Sequence, residues 1–335
     1  MPPGFGPILE FLRATGLAQA NEIPAAEPLT GGVSSDIWKV QLAERTVCVK
    51  RALPRLRVKQ LWEAPVGRNR FERLWMETAA GIVPGIAPKV IASDESGIFA
   101  MEYLDPAGHP LWKAELAEGR ASPAFAARTG EALVRIHAGT ASRSDIAARF
   151  ATDESFLAIR LDPYLLATAR VHTALAPRLE ELAAITAGNR LALVHGDVSP
   201  KNILAGPNGP ILLDAECAWY GDPAFDVAFC LNHLLLKCLW VPAATERFLK
   251  CFDSFADAYL SGVAWELPDE LEARAAALLP GLLLARVDGK SPVEYLTDER
   301  DKNKVREAAA DLLLHPVIHL ADVRNRWRRC LAGEA

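Results

Sequence analysis

The sequence predicts an α+β protein of two lobes, a small one built on an antiparallel sheet over residues 1–104 and a larger, mainly helical one over 105–335. Three observations predict it. A chain of 335 residues exceeds what one hydrophobic core usually organises. Up to about residue 105 the texture is of short runs, Ile37 to Leu42 and Thr46 to Lys50, that mix β-branched, aromatic and polar residues at strand length. Beyond it, long Ala/Leu-rich stretches take over, with no internal repeat or low-complexity linker between the two textures.

Each element has its own signal. Arg68 to Ala80 reads as a helix packed on the sheet, because Phe71, Leu74 and Trp75 cluster on it. Ala124 to Ala138 places Phe125, Leu133 and Ile136 at spacings that suit a buried stripe, and Ser122-Pro123 supplies a cap and first turn. Tyr164 to Ala187 and Ala243 to Leu260 read as helices in the same way, and Leu278 to Leu284 as a strongly apolar one. Between them, Leu191 to Val194 and Ile211 to Leu213 are short apolar runs that we read as a small hairpin around the Gly206-Pro207-Asn208-Gly209-Pro210 turn cluster. The last helix carries Arg324, Arg326, Arg328 and Arg329 beside Val323 and Trp327, a solvated basic face.

Composition narrows the function. Half the residues are apolar and 24% are charged, so the chain should fold throughout. A net charge of -5 gives no general attraction to nucleic acid or to an anionic membrane. Met1 to Ala14 shows no basic region followed by an apolar stretch, and no apolar run is long enough to span a bilayer, so neither export nor insertion is expected. Cys48, Cys217, Cys230, Cys238, Cys251 and Cys330 are scattered, without Cys-x-x-Cys or zinc-ligand spacing. Reduced thiols in a cytoplasmic protein are the expectation.

The strongest chemical signal is Leu193-Val194-His195-Gly196-Asp197-Val198-Ser199-Pro200-Lys201-Asn202-Ile203-Leu204, followed by Ile211-Leu212-Leu213-Asp214-Ala215-Glu216. Metal-assisted phosphoryl transfer needs one group that orients the acceptor hydroxyl and takes its proton, and others that hold Mg²⁺ on the ATP phosphates. Asp197 fits the first role, with Asn202 and Asp214 as hard oxygen ligands for the second. His195 reads as a brace for the turn rather than a base.

His195-Gly196-Asp197 with Asn202, then Asp214, then Gly221-Asp222-Pro223-Ala224-Phe225-Asp226, resembles the signature of the aminoglycoside phosphotransferase and choline kinase superfamily. The resemblance implies a protein-kinase-like fold, ATP and Mg²⁺ as cofactors, and a supporting role for Asp226 inside the core. It also gives the N-terminal third a meaning. Leu29-Thr30-Gly31-Gly32-Val33-Ser34-Ser35-Asp36 would bring backbone amides to the phosphates, with Gly31, Gly32 and Ser34 closest to them. Lys50, ending the strand Val47 to Lys50, would hold the α and β phosphates. Its carboxylate partner is Glu72 or Glu77, the packing around Glu72 favouring that residue. Phe99 to Leu104 resembles the strand and hinge that receive adenine, at Met101, Glu102 and Leu104.

Two features bear on the acceptor. Only seven residues separate Asp214 from Asp222, too few for a peptide-docking segment, so the expected partner is a small-molecule hydroxyl substrate. Asp214-Ala215-Glu216, with Trp62 ahead of Arg68 to Glu72, is similar to the methylthioribose kinase branch and implies that Glu216 also serves the metal. A sugar-like or polyhydroxylated acceptor leads, an aminoglycoside is the alternative, and a catalytically silent nucleotide-binding protein is the alternative of another class. The acceptor pocket is assigned to Arg286 to Tyr295, with Arg286, Asp288 and Lys290 as its polar groups. Neither the oligomeric state nor the acceptor follows from the sequence.

Overall fold

The computed structural model describes residues 2–29, 35–53 and 67–334. Strands β1 (Ala25–Pro28), β2 (Ser35–Gln41), β3 (Thr46–Ala52), β4 (Val90–Ser93) and β5 (Phe99–Glu102) form an antiparallel sheet in the order β1-β2-β3-β5-β4. Alternation along β3 decides what each face does. Val47 and Val49 pack with Trp38, Val40 and Ala100 beneath helix α1 (Gly6–Ala14), which contributes Ile8, Phe11 and Leu12. Cys48 belongs instead to the core that holds Trp75, Met76 and Ala79 of helix α2 (Arg68–Ile82), and Lys50 lies on that same side.

The rest of the chain is mostly helical. It runs through α3 (Trp112–Ala117), α4 (Pro123–Thr140), α5 (Ser144–Arg149), α6 (Asp153–Phe156), a π-helical stretch at Leu157–Leu166, α7 (Ala167–Val171) and α8 (Ala176–Gly188). After the site loops follow α9 (Ala224–Trp240), α10 (Thr245–Leu260), α11 (Pro268–Asp288), α12 (Glu299–Leu314) and α13 (Leu320–Ala332). Ser122 caps α4 by accepting the Phe125 N–H at 3.2 Å, and Pro123 occupies its first turn. Helix α9 is buried from Ala224 to Leu239, as a helix that is apolar all round must be. It is flanked by α10 and α11. The close approach of α4 and α10 needs Gly130, where a Cβ would meet the Phe255 carbonyl oxygen at 2.5 Å.

Two sequence expectations are corrected here. Leu191 to Val194 and Ile211 to Leu213 do not pair with each other. β6 (Ala192–Val194) pairs with β9 (Trp219–Gly221), and β7 (Ile203–Gly206) pairs with β8 (Gly209–Leu212). The turn at Pro207-Asn208 is so tight that β8 can only fold back on the strand directly before it. The predicted helix Tyr164 to Ala187 is also interrupted. It begins in the π-helical stretch, ends at Val171 and restarts at Ala176, where Pro177 suits a first turn and would break an interior. Both differences serve the site, because β6, β7 and β8 end next to its carboxylates and the π-helical stretch carries Arg160 to them. Among the described residues no helix is long and apolar enough to cross a membrane.

Candidate active site

Lys50, only 2% exposed, reaches from β3 across the cleft. Its Nζ lies 2.9 and 2.7 Å from the two Glu72 carboxylate oxygens and 2.5 Å from Asp214 Oδ1. Burial opposes its charge, but Asp214 and Glu72 outweigh it and hold the ammonium protonated well above the usual lysine range. Burial drives Glu72 upward, to about 7, against the pull of Lys50. Asp214 is itself desolvated, yet Lys50 and Lys201 keep it below the usual carboxylate range. Glu77 pairs with Arg73 at the surface, at 2.8 Å, and takes no part.

Asp214 sits at φ +65°, the left-handed region that non-glycine residues seldom occupy. Its Oδ2 has no hydrogen-bond partner among the described residues. Asn202 donates its Nδ2 to the Asp197 carbonyl at 3.1 Å, and its Oδ1 has no donor among the described residues. These two oxygens are hard donors of the kind magnesium selects, and a cation that keeps waters and phosphates in its shell needs few side chains. Glu216 is two residues on, but its Oε2 is held by Arg68 Nε at 2.9 Å. Among the described residues no three His, Cys, Asp or Glu side chains converge as a closed metal cage. The donor set fits an open magnesium site that nucleotide phosphates complete.

Asp197 is buried and highly coordinated. Ser199 Oγ donates to Oδ1 at 3.2 Å, while Arg160 and Lys201 approach Oδ2 at 2.8 and 3.1 Å. Burial raises its carboxyl, but Lys201, Arg160 and His195 more than offset this and keep it ionised well below the usual range. The loop beneath is fixed from the core. Asp226, fully buried, accepts the backbone N–H of His195 at 2.7 Å and of Gly196 at 2.8 Å. His195 Nδ1 accepts the Asp197 N–H at 3.1 Å, and its Nε2 donates to the Leu213 carbonyl at 3.1 Å. Burial depresses the imidazole pKa, so the ring is neutral and ties the Asp197 loop to the Asp214 loop. Gly196 is at φ +79°, and a Cβ there would lie 2.7 Å from the Cys217 carbonyl oxygen.

The sequence that builds this site is matched by a family model. The model described as the phosphotransferase enzyme family covers residues 25–268. The chain belongs to the phosphotransferase enzyme family. It is 27% identical over 258 residues to the methylthioribose kinase of Pectobacterium carotovorum subsp. carotovorum (strain PC1), a match spanning 68% of this chain and 64% of that protein. The likeness to the methylthioribose kinase of Yersinia enterocolitica serotype O:8 / biotype 1B is also 27%, over 70% of this chain and 66% of the other. The chain therefore spans less than two thirds of the length of these curated relatives.

Solved phosphotransferases share the fold at low identity. An amicoumacin kinase bound to AMP-PNP superposes with a TM-score of 0.58 at 14% identity, covering 90% of this chain and 91% of the other. Choline kinase from Cryptosporidium parvum Iowa II gives 0.54 at 13%, over 98% and 94%. Spectinomycin phosphotransferase with ADP gives 0.52 at 11%, over 96% and 98%. The fold is the two-lobed protein-kinase-like one of the phosphotransferase family.

The remaining family positions fall in different places. Gly31, Gly32 and Ser34, and Trp62, lie outside the described residues. Met101 pairs with Cys48 across β5 and β3. The Glu102 N–H donates to the Lys89 carbonyl at 2.9 Å, whereas the Leu104 N–H has no partner among the described residues. Glu102 and Leu104 also line a cavity of about 390 Å³ with Ile86, Arg128 and Ile211, and neither Lys50 nor Asp214 is part of its wall.

The three residues assigned to the acceptor pocket are not brought together. Asp288 is engaged by His172 and Arg306, each at 2.8 Å, and Lys290 pairs with Asp162 at 2.7 Å. Arg286 turns inward, 6% exposed, to line a small cavity with Lys201. Sequence reasoning missed Arg160, Lys201 and the lysine at 237. Lys201 had a signal in its i, i+4 spacing from Asp197, and Lys237 in being a lone cation within an apolar helix. Arg160 had none, since only the π-helical stretch delivers it.

Proposed function

We propose that this chain is an ATP-dependent small-molecule kinase that transfers the γ-phosphoryl group to a hydroxyl of a sugar-like or polyhydroxylated acceptor. The observation that carries the reading is the pair of carboxylates, Asp197 buried and Asp214 half-buried, with Lys50 joined at once to Glu72 and Asp214. Lys50 would hold the α and β phosphates. The Glu102 carbonyl and the Leu104 N–H, which has no partner among the described residues, would meet the adenine edge, and Gly31, Gly32 and Ser34 would cover the phosphates.

Magnesium, when bound, supplies charge neutralisation at the transferring phosphate. Asn202 and Asp214 would hold it, with Glu216 as a further carboxylate once released from Arg68. Asp197, ionised at neutral pH, accepts a hydrogen bond from the acceptor hydroxyl and aims its oxygen in line with the γ-phosphorus. A carboxylate of such low basicity takes the proton late, which suits a loose transition state in which the phosphoryl group departs before the hydroxyl bonds to it. Arg160 and Lys201 fix where Asp197 points. The methylthioribose kinases among the relatives support a sugar-like acceptor, and six free thiols suit a reducing cytoplasm.

Coupled ADP release with Mg-ATP, run against sugars, sugar acids, amino alcohols and aminoglycosides, tests the reading. Turnover that needs both an acceptor and Asp214 supports it. Mg-ATP binding with no turnover on any hydroxyl compound would favour a silent nucleotide-binding protein.

A further inference from the structure

Beside Lys201, the helical lobe forms a cavity of about 20 Å³ whose wall includes Lys201, His233, Lys237 and Arg286. Lys201 links it directly to the site through its 3.1 Å contact with Asp197. The wall is strongly unbalanced in charge. The one carboxylate beside it, Glu294, is paired with Lys113. Lys237, 1% exposed and projecting from the buried helix α9, makes no hydrogen bond or ion pair among the described residues. Its Nζ lies over the rings of Tyr295 and Trp240, 3.6 and 4.3 Å from their centroids.

The polar atoms around the cavity are also unpartnered. Arg286 uses Nη1 on the Tyr164 hydroxyl and on Ser291, but its Nε is buried with nothing to donate to. His233 Nε2 and the Tyr295 hydroxyl are buried in the same condition. Burial and the neighbouring Arg286 and Lys237 depress the His233 pKa well below its ordinary value, so its ring is neutral and still has a proton to donate. Orphaned donors are rare inside proteins because each costs the desolvation of a polar group. Four donor side chains around one void, whose one wall carboxylate among the described residues, Glu294, is already paired with Lys113, are complementary to a compact oxyanion. The size of the void suits a group of a few atoms.

We propose that the acceptor carries an oxyanion, a carboxylate or a phosphate, that seats in this cavity against Lys237 and Arg286 and thereby presents a neighbouring hydroxyl to Asp197. The preferred substrates are then hydroxylated anions rather than neutral sugars or polycationic aminoglycosides. This rests on the kinase reading and sharpens its acceptor side. The small void favours the carboxylate over the bulkier phosphate. Seating an anion would also fix Lys237 in its charged form over the two rings, where a cation is favoured.

The experiment uses the full chain and matched probes: D-glycerate, D-gluconate and glycerol 3-phosphate against glycerol, D-glucose and kanamycin. Thermal shifts are read with and without Mg-AMP-PNP, and ADP release with Mg-ATP. The proposal expects stabilisation by at least one oxyanion probe that persists when nucleotide is bound, and a preference for it as acceptor. Lys237→Met and Arg286→Lys should weaken that binding on the order of tenfold or more, while the KM for Mg-ATP stays within about twofold, a split that a merely structural lysine would not produce. Glycerol 3-phosphate outperforming both acids would assign the site to a phosphate, and the reverse to a carboxylate. The proposal is overturned if glycerol, glucose or kanamycin binds better than all three anions, if no anion binds at about 10 mM (affinity weaker than about 3 kcal/mol), if the two variants bind it unchanged, or if nucleotide displaces it. Anion binding without any phosphoryl transfer would instead sink the kinase reading and leave the pocket standing.

Discussion

Replacing Lys237 by methionine should make the protein more stable, an unusual outcome for a buried residue beside an active site. Burial, with Lys113 and Arg286 nearby, lowers the ammonium pKa from 10.5 to about 6, and Glu294 offsets this only in part. His233, Lys201 and Tyr295 complete its charged and titratable surroundings. In the unfolded chain the side chain is protonated at pH 7, and on folding it must give that proton up. The gap of about 3.5 units between 10.5 and pH 7 amounts to about 5 kcal/mol at 1.36 kcal/mol per unit. Apolar replacements of buried ionic groups of like volume usually return 1–4 kcal/mol, so a gain of about 2–4 kcal/mol is expected. Urea denaturation of the anion-free protein measures it.

The sign with pH is also set. Between about pH 6 and 10.5 the unfolded state holds a proton on Lys237 that the folded state lacks, so this residue makes wild-type stability rise with pH. The methionine variant loses that slope. Its advantage should be largest near pH 6 and shrink by up to about 1.4 kcal/mol per unit towards pH 9, while other groups titrate alike in both proteins and cancel. A variant that is less stable than wild type, or a difference that does not change over that range, would refute the reasoning.

Other perturbations act on the site itself. Gly196→Ala should destabilise the fold by about 2–4 kcal/mol in urea denaturation, combining a left-handed backbone strain of about 1–3 kcal/mol with the clash on the Cys217 carbonyl. Arg160→Met removes a cation 2.8 Å from Asp197, so the carboxyl pKa should rise by about 1–3 units. Because the ionised form is the active one, the acid limb of the kcat profile should move to higher pH by that amount, and an unmoved limb would leave Arg160 a structural role only. Glu216→Gln should raise the Mg²⁺ concentration needed for half-maximal rate severalfold, and an unchanged magnesium dependence would remove Glu216 from the metal site.

Local chemistry was the legible part of this molecule. Asp197, Asn202 and Asp214 can be read because one short loop and one strand end dictate their separation. Lys50 and Glu72 can be paired in advance because strand alternation puts Lys50 under α2, while the apolar residues around Glu72 turn it inward. What escaped depended on distant pairing. β6 finds β9 rather than the nearer apolar run, and Arg160 arrives from a stretch whose π-helical path no periodicity announces. Asp288 and Lys290 are the opposite case. Charges, glycine and an aromatic in ten residues look like a recognition loop, yet both side chains are satisfied by ion pairs with Arg306 and Asp162. Lys237 reads as a surface lysine by type, although its place as a lone cation in an apolar helix pointed inward, and the all-round burial of α9 shows that it is not at the surface.

The central claim, that Asp197 positions a hydroxyl for in-line transfer from ATP held by Lys50 and Asp214, is tested most directly by Asp197→Asn. ADP release with an accepted substrate and the Kd for Mg-ATP should be measured on the same preparation. The account predicts a fall in kcat of about 10²–10⁴ with nucleotide affinity within a few-fold of wild type. Turnover near the wild-type rate, or loss of nucleotide binding together with turnover, would contradict it.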